Sequence, residues 1–166
     1  MSTVDVRTLT TAKLFAVHAG VLGELRRRHV IRTSNNPLGD LAEALFSKAF
    51  GWKLDGNSHD GRDAVDTHTG TRYQIKARRL TDAKTSRELS VIRDIECKPF
   101  DYLAGLLVGL HYDVIRAALI PFPIVRAGAI YSKHVNGWRF HLRDCVWSES
   151  GVLDVTEKLR EVFVAM

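Results

Sequence analysis

Cysteine is nearly absent: Cys97 and Cys145 are the only two in 166 residues. They stand far apart, outside any CxxC pair or Cys/His cluster, so neither a disulfide framework nor a structural zinc site is expected. Long apolar runs are missing as well. The longest lies around Leu103–Leu110 and falls far short of the roughly 20 residues that a membrane span requires. No apolar segment with a small-residue cleavage site follows Met1, so no secretory signal is read, and a reducing, cytoplasmic setting is the expectation. Repeats, low-complexity tracts and long linkers are lacking, which leaves a single domain over residues 1–166. There is no glycine-rich phosphate loop, no GxSxG and no Cys–His arrangement, so nucleotide hydrolysis and acyl transfer have no motif behind them. Neither a membrane nor a small-molecule cofactor is an expected partner.

What the chain does have is an ordinary globular balance, 45% hydrophobic and 26% charged, with a formal net charge of +5. That charge is unevenly placed. Residues 1–100 carry 17 basic and 12 acidic side chains, whereas residues 101–166 carry 7 of each. A polyanion would be drawn to the first hundred residues.

Periodicity gives the elements. Leu14, Val17, His18, Val21, Leu22 and Leu25 recur at helical spacing, and this stripe is expected to be core, with His18 packed inside it. The run Arg26-Arg27-Arg28-His29 that follows suits a helix C-terminus, and it equally suits phosphate contact. Asn35-Asn36-Pro37 is a helix start, with Asn as cap and Pro in the first helical position. The helix it opens buries Leu38, Leu41, Ala42, Leu45 and Ala49, with Phe46 and Phe50 widening the stripe, and Gly51 ends it. Glu43 falls at the margin of that buried face. Trp52–Leu54 reads as a short strand. Residues 62–67 and 71–79 read as a hairpin turning at Thr67–Gly70. A helix is predicted over 83–95. The segments 100–110 and 114–120 read as strands covered on both faces. A helix within 121–134, a strand at 138–142 with Trp138 and Trp147 as core or interface anchors, and a closing helix at 155–164 complete the chain. A helix between the three-strand meander and the next strand permits a parallel crossover, so the expected fold is an α/β three-layer sandwich with a central mixed sheet.

The hairpin carries the chemistry. A turn at Thr67–Gly70 pairs Asp66 with Thr71 and sets Asp63 opposite Gln74. Alternation then puts Gln74 and Lys76 on one face with Arg72 and Arg78, and turns Tyr73, Ile75 and Ala77 toward the core. One acid, one amide and one ammonium converge, with Glu43 available from the preceding helix. Hydrolysis of a phosphodiester wants such a set. A divalent cation with oxygen ligands polarises the phosphoryl group and makes hydroxide from water, and an adjacent ammonium steadies the developing charge. The plainer reading makes Asp63 and Asp66 strand-end and turn residues, and Gln74 and Lys76 the wet face of an edge hairpin. His59 and His68 flank the site in loops.

In the order Glu43 on a helix, Asp63 on a strand and Gln74-Ile75-Lys76 on the next strand, the chain resembles the PD-(D/E)xK nuclease superfamily. It is most similar to restriction endonuclease-like members in which Gln replaces the acid of the (D/E)xK element. Two features depart from the pattern: glutamine is neutral, and Arg62 stands where the superfamily name has proline. The resemblance implies a restriction endonuclease-like core over 38–110 and catalytic residues Glu43, Asp63, Gln74 and Lys76. It also implies Mg²⁺, or Mn²⁺, held by Asp63 and Gln74, with Asp66 the alternative to Asp63. The implied activity is a metal-dependent endonuclease of restriction or repair type. A catalytically silent nucleic-acid-binding module and an interaction subunit of a defence or repair complex are the alternatives.

Double-stranded DNA is the expected nucleic acid, and cutting both of its strands calls for two copies, so a homodimer is expected. From Arg72 to Arg87 there are six basic residues against one acid, Asp82. Arg72, Arg78, Arg79 and Arg87 are candidate phosphate contacts. So are Ser86, Ser90 and Arg93, spaced as one face of the predicted helix.

Overall fold

The computed structural model describes residues 5–32, 36–56, 61–81 and 85–166, without the side chains of Thr11, Ala12 and Phe15. The helices are α1 (Thr11–Arg27), α2 (Leu38–Phe50), α3 (Phe122–Gly128) and α4 (Thr156–Ala165). The strands are β1 (Lys53–Leu54), β2 (Ala64–Val65), β3 (Arg72–Arg79), β4 (Tyr102–Val108), β5 (Val114–Pro121), β6 (Ile130–Ser132), β7 (Gly137–Arg139) and β8 (Leu153–Asp154). Six of them form one sheet in the order β1-β2-β3-β4-β5-β8, while β6 and β7 make a separate ribbon. Only β3 and β4 run parallel; the other neighbours in the sheet are antiparallel. The protein is thus mixed α/β with a mostly antiparallel sheet.

Alternation along β4 explains the two cores. Ala104, Leu106 and Val108 join Leu41, Leu45 and Phe46 of α2 and Leu159 of α4 on one face. Leu103 and Leu107 join Leu89, Ile92, Ile95, Phe100 and Phe140 on the other. A strand covered on both faces reads as an unbroken apolar run, as β4 does. α2 begins one residue later than the sequence implies: Pro37 takes the cap position, its carbonyl accepting the Leu41 N–H at 2.9 Å, and Asn36 Oδ1 accepts the Leu38 N–H at 3.1 Å. Asn35 lies outside the described residues. No helix among the described residues is long and apolar enough to cross a membrane.

Two expectations are corrected. The first is the helix over 83–95. Residues 83 and 84 lie outside the described residues, and from Thr85 to Asp94 the chain is not helical. It runs instead beside 138–142: Leu89 N–H reaches Phe140 C=O at 2.9 Å, and Ile92 exchanges hydrogen bonds with Trp138 at 2.8 and 2.9 Å. Gly137 makes this approach possible, since a Cβ there would stand 2.3 Å from Val91 Cγ1 and 3.1 Å from the Ile92 carbonyl. A three-residue apolar spacing suits a helix, but it also suits an irregular strand whose side chains drop into a core, and long-range pairing decided. Ser86, Ser90 and Arg93 therefore do not share a helix face. The crossover from β3 to the parallel β4 is made without an α-helix.

The second correction concerns α1. Its stripe is not core: Leu14 is 40% exposed, Val17 38% and Val21 52%, and His18 is exposed too. Among its described side chains, Leu22 is buried. Helical period fixes which residues share a face, and not what covers that face. Trp138 and Trp147 are half-buried rather than central, each lying beneath a guanidinium, Arg126 at 4.6 Å and Arg116 at 3.7 Å.

Candidate active site

β2 is two residues long and β3 is eight, so β3 outgrows its partner and leaves an open edge. The candidate residues gather there. The observed register, Ala64 with Tyr73 and Val65 with Arg72, is the one that the Thr67–Gly70 turn implies. At Asp63 the pairing slips: its N–H donates to Tyr73 C=O at 2.8 Å, so Asp63 and Ala64 both lie against Tyr73. Such an extra residue re-aims a side chain. The Asp63 carboxylate turns onto the open edge, where Oδ2 accepts the Ile75 N–H at 2.7 Å. Its Oδ1 takes no hydrogen bond from the described residues.

Gln74 is the anomaly of the strand. It is 5% exposed, and its Oε1 is the buried side-chain atom that lacks a hydrogen-bond partner among the described residues. An unpaired buried amide costs about 1–3 kcal/mol, so a sequence free to choose would place an apolar residue here. Lys76 follows, half-buried, on the same face of β3.

Glu43 reaches the same place from α2. Its carboxyl is pushed up from the ordinary 4.5 to about 6, first by burial, opposed by the Arg32 guanidinium, then raised by Asp63 and Asp40 and lowered by Lys76. The charges of Asp63 and Lys76 thus both act on Glu43. Arg32, which sequence reasoning missed, pairs with the two acids of α2, Asp40 and Glu43. Its guanidinium meets Glu43, and its N–H donates to Asp40 Oδ2 at 2.8 Å. Arg32 sits in the loop before α2, with no periodic relation to Glu43, and nothing in the sequence marks the contact.

Glu43 also makes stability depend on pH. A carboxyl raised by folding contributes stability that is full below about pH 4.5 and lost as pH rises through about 6, worth about 2 kcal/mol at 1.36 kcal/mol per unit. Urea unfolding at both ends of that window should show this difference in the wild type and a smaller one in Glu43→Gln.

Asp66 is elsewhere. It caps the turn, Oδ1 accepting the N–H groups of His68 at 2.8 Å and Thr69 at 3.3 Å, and those contacts hold its carboxyl below the ordinary value. Of the two acids weighed for the site, Asp63 is the one on the open edge. His68 is exposed at the turn, and His59 lies outside the described residues. Gly61 sets the approach to Asp63. Its φ is +80°, and a Cβ there would fall 2.4 Å from the Pro99 Cβ. Gly61→Ala is expected to cost at least about 2 kcal/mol and to shift Asp63; thermal melting and the exchange protection of the Ile75 amide, whose N–H Asp63 accepts, would register both.

The basic candidates divide by their partners. Arg72 pairs with Asp101, Arg87 with Asp144. Arg78 and Arg79 bond neutral groups, the Ser86 carbonyl at 3.2 Å and the Tyr112 hydroxyl at 2.8 Å, and neither makes an ion pair among the described residues. Arg93, Ser86 and Ser90 are exposed, and Arg93 makes no ion pair among the described residues. The run Arg26–Arg28 ends α1, where Arg27 and Arg28 pair with Glu24.

Among the described residues, no three Asp, Glu, His or Cys side chains are placed to hold a metal ion. β3 offers a set of another kind: an acid with one oxygen uncommitted among the described residues, fixed by the Ile75 N–H, and a buried amide oxygen on the neighbouring residue Gln74 that lacks a hydrogen-bond partner among them. Both are hard donors of the sort Mg²⁺ accepts while keeping several waters. The chain matches no family model and no curated protein.

Proposed function

We propose that the protein is a metal-dependent phosphodiesterase acting on DNA, an endonuclease of the restriction endonuclease-like kind with Gln74 in place of the usual second acid. The observation that carries this reading is the buried, unpartnered Oε1 of Gln74, one residue from the N–H that fixes Asp63. Paying for an orphaned oxygen at that spot makes sense if it has a ligand to meet.

Asp63 Oδ1 and Gln74 Oε1 hold Mg²⁺ or Mn²⁺ in this reading. When bound, the divalent ion supplies phosphoryl polarisation and hydroxide at neutral pH. Lys76 orients the attacking water and offsets negative charge as it builds on the phosphoryl oxygens. Glu43, with a carboxyl near 6, is poised to take a proton from that water or to hold the metal through one. Arg78, Arg79 and Arg93 supply phosphate contacts, each removing about 0.9 from the salt slope when lost.

The test is cleavage of supercoiled plasmid in Mg²⁺ or Mn²⁺ by the wild type, Asp63→Asn and Gln74→Leu. Both variants should be silent. Gln74→Leu should also melt higher, by the equivalent of about 1–3 kcal/mol, because an orphaned amide is replaced by an apolar group of similar size. Cleavage that survives Asp63→Asn, or a Gln74→Leu protein that cuts as well as the wild type, overturns the reading. The ion pair of Arg32 with Glu43 favours one alternative, a module that binds DNA with its acids neutralised. That alternative expects Mg²⁺-independent binding and no cutting at any protein concentration.

A further inference from the structure

From Leu14 to Gly23 the sequence reads LFAVHAGVLG, with His18 its one polar side chain. A helix apolar all round belongs in an interior. In this fold Leu14, Val17, His18, Ala19, Gly20 and Val21 are all exposed, so among the described side chains α1 is uncovered from Lys13 to Val21. An isolated helix of this length is marginal in water. Its foot, where Leu22 is buried, adjoins an apolar cavity of about 290 Å³ lined by Leu25, Val30, Ile31, Leu41, Tyr112 and Phe163.

We infer that α1 is the contact between two copies of this chain, paired antiparallel about a two-fold axis between Val17 and His18. The helix is self-complementary in that register. Positions 14, 17, 18 and 21 are spaced three, one and three apart, so the axis lays Leu14 against the partner's Val21 and Val17 against the partner's His18. Isologous contact of this kind is what a closed dimer requires. Charge selects the antiparallel sense. A parallel pair would set both copies of Arg26, Arg27 and Arg28 side by side, whereas the antiparallel pair parts them by about 25 Å, the length of 17 residues at 1.5 Å each, and opposes the helix dipoles.

The same register sets Thr11, the start of each α1, opposite the partner's Glu24 and the preceding Thr10 opposite the partner's Leu25, which lines the apolar cavity. Helix and groove are then covered together, which matters because a specific dimer buries about 800 Å² per partner, more than one helix stripe supplies. The inference does not depend on the cleavage reading. A dimer that never cuts DNA would leave it standing, and a nuclease that is monomeric would remove it alone.

Sedimentation of the full chain should give a dimer at micromolar concentration. Val17→Glu/Val21→Glu, altered only at exposed positions, should sediment as a monomer with its circular dichroism retained. With Cys97 and Cys145 changed to Ser, the double variant Leu14→Cys/Val21→Cys should oxidise to a covalent dimer, while neither single variant does. A wild type that stays monomeric to its solubility limit overturns the inference. So does a dimer that survives the two glutamates, or single-cysteine variants that cross-link with themselves.

Discussion

Lys76→Ala should lower Mg²⁺-dependent cleavage by roughly 10²–10³-fold, the usual effect of removing one group that stabilises transition-state charge, while the affinity for DNA changes little. The expectation follows from placement. Lys76 lies on the part of β3 that extends past β2, two residues beyond Gln74, and its charge acts on Glu43. If Lys76 were simply one more phosphate contact, its loss would weaken binding on every sequence and reduce the salt slope by about one. Filter binding at several salt concentrations, beside single-turnover cleavage, separates the two. An unchanged cleavage rate with weakened binding would move Lys76 out of the catalytic group.

Phe46→Ala should destabilise the protein by about 3–5 kcal/mol, a fall in melting temperature of about 10 °C for a chain of this size. Phe46 is fully buried, and a stack of rings leads from it to the candidate site. Its ring faces Trp52 with centroids 5.8 Å apart, and Trp52 lies 3.6 Å from Tyr73, the residue against which Asp63 and Ala64 both rest. The cavity left by Phe46 would therefore loosen the base of the hairpin as well as the core. Metal affinity measured well below the melting point should fall with stability. Phe50→Ala, at the half-buried end of the same stack, should cost less on both counts.

Local chemistry made the hairpin legible. Turn residues at Thr67–Gly70 and strict alternation set the register, and the register set which side chains of β3 face the core. α2 was legible for a similar reason, because a cap and a 3.6-residue period are both written within a few neighbouring residues. The segment around Leu89 and Ile92 was not. Its hydrogen-bond partners are about fifty residues away in Trp138 and Phe140, and the one local hint is a glycine, Gly137, that permits the approach. Neither was the slip at Asp63 legible, since it consumes no turn residue and leaves the pairing of Ala64 and Val65 with β3 intact.

By itself the sequence determined the helices α1, α2 and α4, the meander, the two apolar strands and the residues able to supply an acid, an amide and an ammonium. These rest on interactions between neighbours along the chain or across a tight turn. Only the tertiary structure decided that Asp63 rather than Asp66 turns onto the open edge, that Arg32 lies on Glu43, and that, among the described residues, Gln74 Oε1 is buried without a partner and the apolar stripe of α1 is exposed. Each depends on which distant segments come to share a volume. Burial, charge pairing and exposure are properties of that shared volume and not of any stretch of residues within it.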